Sequence, residues 1–346
     1  MDSQQHIAYQ VREAVESRTA LALRGGGSKA FLGEAVQGDA LELAGHSGVV
    51  DYDPGELVIT CRAGSPLAEI RELLASSGQH LPFDPPAFGE SATIGGTVAC
   101  GLSGPGRPWA GSLRDYLLGV KIVNGKGEVL SFGGQVMKNV AGYDVSRLMA
   151  GSMGTLGVIL EASFKVLPRP AKELTLAFEC SQQDAIQQMA SWSARPIPLS
   201  AASWSNGRLM VRLSGAAAET EKAAHSMSPD ECTEDMGFWP DLREHRVAFG
   251  SSDAPLWRLS LPAATPPLEF EGHCLLDWGG AQRWYSGPEP HETIRATVEA
   301  CGGHATLFRG SGDIQRFHPL PKAMRRLHDL SLIHISEPTR RRDSSR

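Results

Sequence analysis

A chain of 346 residues, 41% hydrophobic and 21% charged, is long enough for two packed domains and too apolar to be disordered. A formal net charge of −6 speaks against nucleic acid or an anionic membrane surface as the main partner. No apolar run reaches the roughly 20 residues needed to cross a bilayer.

The N-terminus, MDSQQHIAYQVREAVES, is polar and has no apolar core of a secretory signal, so the cytoplasm is the expected compartment. His6–Arg18 has helical character and leads into a short apolar strand at Ala20–Arg24. RGGGSKAFLG (Arg24–Gly33) follows, with three consecutive glycines. Leu57–Ala63 is a β-branched strand. Ser65 is placed to cap the next helix, with Pro66 at its first position, Leu67, Ile70, Leu73 and Leu74 as its stripe and Gly78 closing it. Pro82–Gly104 is loop-rich and contains ATIGGTVACG (Ala92–Gly101). Val120–Val123 and Glu128–Phe132 flank a Gly125-Lys126-Gly127 turn, a hairpin.

Met137–Leu167 reads as loop, short helix, glycine turn and strand. Asp144 caps the helix, Val145, Leu148 and Met149 share a face, and Gly151 stops it. Val158 to Val166 alternate as a strand, ended by Pro168 and Pro170. Short strands with few helices between them indicate an α+β domain over 1–170.

Beyond Pro170 the texture changes, and a second domain is expected over 171–330. Strand Leu174–Cys180, helix Asp184–Ser193, a hairpin of Ala201–Ser205 and Arg208–Ser214 around Asn206-Gly207, and helix Ala216–Met227 give a β-α-β-β-α order, the signature of a ferredoxin-like cap. Met227–Ala254 is irregular. Strands at Leu256–Leu261 and His273–Trp278, a helix at His291–Ala300 and a strand at His304–Arg309 complete this domain. Ser331–Arg346 lacks a core pattern and carries Arg340–Arg342 in an otherwise acidic protein. It reads as a frayed, foreign-looking tail.

Six cysteines, far apart and without a C-x-x-C pair, offer no zinc or cluster spacing. The three bare stretches, Gly25–Gly27 with Ser28, Thr93 with Gly95-Gly96, and Gly151–Gly157, suit a nucleotide cofactor, because side-chain-free backbone lets amides approach a pyrophosphate. Neither G-x-G-x-x-G with its acidic partner nor a P-loop is present.

In this order RGGGS, ATIGGTVACG, GSLRDYLLG (Gly111–Gly119) and MAGSMGTLGVI resemble the PCMH-type FAD-binding domain of the vanillyl-alcohol-oxidase type. RPWAGSLRDYLLG, KNVAGYDVSRLMAGSMGTLGV, LLDWGGAQRW (Leu275–Trp284) and GGHATLF (Gly302–Phe308) narrow the resemblance to the FAD-binding subunits of glycolate oxidase, from about Ala20 to Leu330. The resemblance implies that Gly25, Gly26, Gly27, Ser28 and Lys29, with Thr93, Gly95 and Gly96, hold the FAD pyrophosphate. Ser112 and Asp115 come from the third motif, and Gly154, Gly157, Val158 and Ile159 flank the adenine and ribose. Relatives with covalent FAD use a histidine in the first loop, so Ser28 and Lys29 imply noncovalent FAD. The implied partners are a catalytic flavin subunit and an iron–sulfur subunit, with peripheral attachment at the inner membrane through them. The substrate of the complex would be glycolate, a small 2-hydroxy acid oxidised to glyoxylate. The H-x-G-D-G-N-x-H segment of the catalytic relatives is missing. His304, Arg309, Arg283 and His273 could supply a base and a cation, but no spacing ties them together.

Overall fold

Ile7, Ala8, Val11 and Ala14 fall on one side of a helix and are all buried, which sets α1 (Ser3–Ser17) against a sheet. The computed structural model describes residues 2–134, 144–247, 254–310, 314–320 and 322–326. The start of the Met137–Leu167 stretch, up to residue 143, and the Ser331–Arg346 tail lie outside them.

After α1, β1 (Leu21–Arg24) pairs in parallel with β2 (Asp39–Glu42). Strands β3 (Val49–Asp53) and β4 (Val58–Arg62) lead to α2 (Leu67–Ser76), the short β5 (Gln79–His80) and α3 (Ile94–Cys100). The single-turn helices α4 (Arg107–Ala110) and α5 (Leu113–Tyr116) precede the hairpin β6 (Leu117–Val123) and β7 (Val129–Gly133). Next come α6 (Val145–Met149), β8 (Val158–Lys165) and β9 (Leu167–Pro168), which pairs with β5. The first sheet is antiparallel in the order β3-β4-β8-β6-β7. Ile59, Phe164 and Ile122 pack on one face under α2 and α3, through Leu67, Ile70, Leu74, Ile94 and Val98. Val123, Val158 and Leu160 pack on the other face, under α1 and Leu41 and Leu43.

Two local expectations differ. Ser65 does not cap α2; its hydroxyl accepts from Gly48 N at 2.9 Å and donates to Gly48 O at 3.0 Å, tying the helix entry to β3 instead. In α6, Asp144 caps as expected, accepting from Arg147 N at 3.2 Å, but Leu148 is 47% exposed. The helix has only five residues, and it turns Ser146 and Met149 inward; the Ser146 hydroxyl donates to Phe132 O at 3.0 Å.

The second sheet has eight strands: β10 (Lys172–Glu179), β11 (Leu199–Ser205), β12 (Arg208–Gly215), β13 (Glu231–Thr233), β14 (Leu256–Ser260), β15 (His273–Asp277), β16 (Gln282–Ser286) and β17 (His304–Arg309). Its helices are α7 (Gln182–Ser193), α8 (Ala217–Met227), α9 (Phe238–Arg243) and α10 (His291–Ala300). The order is β13-β10-β12-β11-β15-β16-β14-β17. Each half therefore repeats one arrangement, with the fourth strand outermost, then the first, third and second. The two second strands, β11 and β15, meet at the seam through the pair Trp204↔Leu276. The cap is two ferredoxin-like units joined edge to edge, and the second has the irregular 261–272 segment in place of its first helix. Helices α7 and α8 cover one face of the first half, and α10 packs on the second. On the remaining face, Trp239 and Leu242 of α9, Leu256, Leu275, Trp284 and Phe308 meet Phe31, Phe88 and Leu102 of the first domain.

Candidate functional site

The three glycine ribbons converge. A Cβ on Gly25 would stand 2.6 Å from Thr93 Oγ1, and one on Gly26 would overlap the Ser91 carbonyl oxygen, so the first ribbon lies directly on the loop that enters α3. The far end of α3 receives the third ribbon: Gly151 N donates to Val98 O and Met153 N to Ala99 O, both at 2.9 Å. That ribbon closes back on β1, where a Cβ on Gly154 would stand 2.9 Å from Leu23 Cδ1.

Within this cluster the amides are unequally used. Ile94 N donates to Ser65 O at 3.0 Å, Gly95 N to Ala63 O at 2.7 Å and Gly96 N to Thr93 Oγ1 at 3.3 Å, so the start of α3 is already satisfied. Gly95 is bare for packing, since a Cβ there would come within 2.7 Å of Ala63 Cβ. By contrast, the amides of Gly26, Gly27 and Ser28 have no acceptor among the described residues. Gly27, at φ +74°, faces open space. Successive unspent amides on a bare, kinked backbone suit an oxyanion, so the first ribbon fits a diphosphate.

Lys29 follows at once and is 9% exposed. Its Nζ donates to Ala87 O at 3.2 Å and lies 3.4 Å from Ser28 Oγ. Burial lowers its pKa, and Cys100 and Glu244 act in the opposite sense. The Cys100 thiol is itself pushed up to about 11 by burial, which makes it an inert neighbour.

Ser112 and Asp115 spend their polar groups on each other: Asp115 Oδ2 accepts from the Ser112 amide and hydroxyl, each at 2.8 Å. Burial would raise the Asp115 pKa, but these bonds, with Arg147 and Arg107 nearby, hold it below its ordinary value. Val158 and Ile159 are buried, paired with Val123 and Ile122, and Gly157 sits beside Val123 O at the head of that strand.

A second constellation lies between the domains, where Phe88, Leu102 and Ser103 face His245, Arg258, Asp277, Trp278, Gln282, Trp284 and Phe308 around a cavity of about 20 Å³. That volume holds about one water. Arg258 Nε donates to Gln282 Oε1 at 2.7 Å, while Asp277 accepts from Trp278 N at 2.8 Å and Gln282 Nε2 at 3.1 Å. Burial pushes Asp277 up to about 6 against those hydrogen bonds and Arg258. Burial, Arg309 and Arg258 push His245 down to about 3, and its ring rests 4.2 Å from that of Trp284. Trp278 bridges the domains, donating to Gly104 O at 3.0 Å with Arg107 above its ring.

Of the four residues named as a possible base and cation, only Arg309 reaches this region, stacked over Phe31 and Phe88. Arg283 is wholly buried and donates to Pro266 O and Thr265 O. His273 and His304 are exposed, at the ends of β15 and β17 away from Asp277 and Phe308. Sequence reasoning missed Arg243, Glu244 and His245 because they end and follow a six-residue helix inside a stretch without periodicity. Among the described residues no group of three or more His, Cys, Asp or Glu is placed to hold a metal, and no helix is long and apolar enough to cross a membrane.

Residues 1–133 match the family described as FAD binding domain. Over 327 residues the chain is 46% identical to the glycolate oxidase subunit GlcE of Escherichia coli, covering 94% of this chain and 92% of that protein. It is 32% identical over 178 residues to the glycolate oxidase subunit GlcD of Bacillus subtilis, 51% of this chain and 38% of that one. A D-2-hydroxyglutarate dehydrogenase of Xanthomonas citri is 32% identical over 164 residues, 47% of this chain and 34% of that one. Among solved structures, an alkyldihydroxyacetonephosphate synthase superposes with a TM-score of 0.68 at 15% identity, over 98% of this chain and 75% of that one, a likeness of fold.

Proposed function

Because the chain belongs to the family of the glycolate oxidase subunit GlcE, we propose that it is the FAD-carrying subunit of a glycolate oxidase (glycolate dehydrogenase) complex that oxidises glycolate to glyoxylate. The observation that carries this reading is the row of unspent amides at Gly26, Gly27 and Ser28 on a ribbon closed against α3 and the Gly151–Gly157 turn. These amides would take the FAD diphosphate, with Lys29 beside them as the counter-charge and no histidine in the loop for a covalent link. Thr93 would support the first ribbon from behind, and Gly95 and Gly96 would let α3 pack beneath it. Gly154 and Gly157 would keep the adenine side free of side chains; Val158 and Ile159 would contribute backbone there, and Ser112 with Asp115 would brace the neighbouring turn. When bound, FAD supplies two-electron redox chemistry.

The missing H-x-G-D-G-N-x-H segment supports placing the substrate chemistry on a partner flavin subunit, with electrons leaving through an iron–sulfur subunit, rather than in the small cavity between the domains. A second reading, a self-sufficient hydroxy-acid dehydrogenase, draws on the polar lining of that same cavity by Arg258, His245 and Asp277. Co-purification with the two partner subunits, compared with the isolated chain, separates the readings. The isolated chain is expected to retain FAD and give no glycolate-dependent dye reduction, while the complex gives both. Turnover of glycolate or D-lactate by the isolated chain would overturn the subunit reading.

A further inference from the structure

The segment Asp84–Phe88 is backbone under constraint: Asp84 and Phe88 adopt φ +41° and +51°, a region non-glycine residues rarely occupy. It is held from both domains. Glu244, just beyond α9 of the cap, accepts from Ala87 N through both oxygens at 3.2 and 3.1 Å, from Phe88 N at 2.7 Å and from Arg243 Nε at 2.8 Å. Arg243 also donates to Asp84, and Arg71 of α2 donates to Pro85 O and stands 3.9 Å from Asp84. The clamp fixes the direction of one further group, the Ala87 carbonyl, which accepts from Lys29 Nζ at 3.2 Å. Lys29 is nearly enclosed and its other neighbour, Ser28 Oγ, is 3.4 Å away, so Ala87 O is its nearer acceptor.

We propose that Glu244 is a positioning residue for the cofactor: by holding the Ala87–Phe88 amides it aims Ala87 O at Lys29 and so keeps the lysine charge beside the Gly26–Ser28 ribbon. The cap thereby takes part in cofactor retention although it contributes no part of the ribbon itself. The inference rests on the reading that this ribbon holds the FAD diphosphate. The burial that disfavours a charged Lys29 makes the alignment of that acceptor matter more, and the Glu244 carboxylate offsets part of the cost.

A double-mutant cycle on the full chain tests it, with FAD affinity read by quenching of flavin fluorescence on titration. Lys29→Met and Glu244→Gln are each expected to weaken FAD binding about tenfold, and the double variant to bind no more than about threefold more weakly than Lys29→Met alone. Multiplying effects, or a Glu244→Gln variant that binds FAD like the wild type, would overturn the coupling. A Lys29→Met variant of wild-type affinity would instead overturn the reading of the ribbon, and the inference with it. If Glu244→Gln fails to melt cooperatively, Glu244→Asp, which keeps the charge on a shorter arm, takes its place in the same cycle, with the same outcomes deciding.

Discussion

Replacing Gly26 by alanine is expected to lower FAD affinity by at least about 100-fold, whereas alanine at the adjacent Gly27 lowers it by about tenfold or less. A methyl group on Gly26 would occupy the space of the Ser91 carbonyl oxygen, so the ribbon must lift away from the loop that enters α3. Backbone on the opposite side cannot give way as a flexible side-chain end could. Lifting the ribbon misaims the three unspent amides together. With a hydrogen bond to a charged group contributing about 1.5–3 kcal/mol, loss of two of them exceeds the roughly 2.7 kcal/mol that corresponds to 100-fold. Gly27 presents the contrasting case. Nothing lies within 4 Å of its would-be Cβ, and the strain of φ +74°, about 1–2 kcal/mol, burdens the free and the FAD-bound fold alike, with the amide directions retained. Flavin titration of both variants measures the difference. Equal affinities for Gly26→Ala and the wild type would contradict this account of the ribbon.

Relative to the wild type, His245→Phe is expected to gain stability on acidification, by about 1.4 kcal/mol per pH unit below pH 6.5. His245 has a folded pKa of about 3 against an ordinary value near 6.5, so between these values the unfolded chain holds a proton that the folded chain refuses. Stability therefore falls as pH falls through that window. Asp277, lining the same cavity, has the opposite sign. Its folded pKa of about 6 lies above the ordinary carboxylate value near 3.9, so protonation stabilises the fold, fully below the unfolded value, and the benefit is lost as pH rises through 6. Between about pH 6 and 4 the two contributions nearly cancel in the wild type. Phenylalanine at 245 keeps a ring among Phe88, Trp284 and Phe308 while removing one of the opposed titrations. Urea unfolding at pH 7, 5.5 and 4.5 is expected to show the variant's relative stability rising by about 2.5 kcal/mol between pH 7 and 4.5. Parallel pH curves for variant and wild type would show that His245 titrates like an exposed histidine.

What could be read beforehand was whatever a short window encodes. Asn206-Gly207 makes its hairpin with φ of +51° and +82°, and Asp144 caps α6 by accepting from Arg147 N at 3.2 Å; both are decided by neighbours in sequence. The glycine motifs were visible as bare backbone. Their division of labour was not, because the amide of Gly95 is spent on Ala63 and the bareness of Gly26 answers to Ser91, contacts made only in the folded chain. Ser65 looked like a cap because its true partner, Gly48, is 17 positions away. Strand β16 was overlooked since Gln282, Arg283, Trp284 and Tyr285 are all buried, leaving no alternation to detect. The clamp from Glu244 to Ala87 spans 157 positions and two domains, beyond any local pattern.

Amide hydrogen exchange across Gly25–Lys29, compared with and without saturating FAD, tests the cradle most directly. The amides of Gly26, Gly27 and Ser28, which have no acceptor among the described residues, are expected to exchange at least tenfold more slowly once FAD is bound, while Gly95, already bonded to Ala63 O, changes little. Bound flavin with unchanged exchange at all three ribbon amides would place the diphosphate elsewhere and contradict the account.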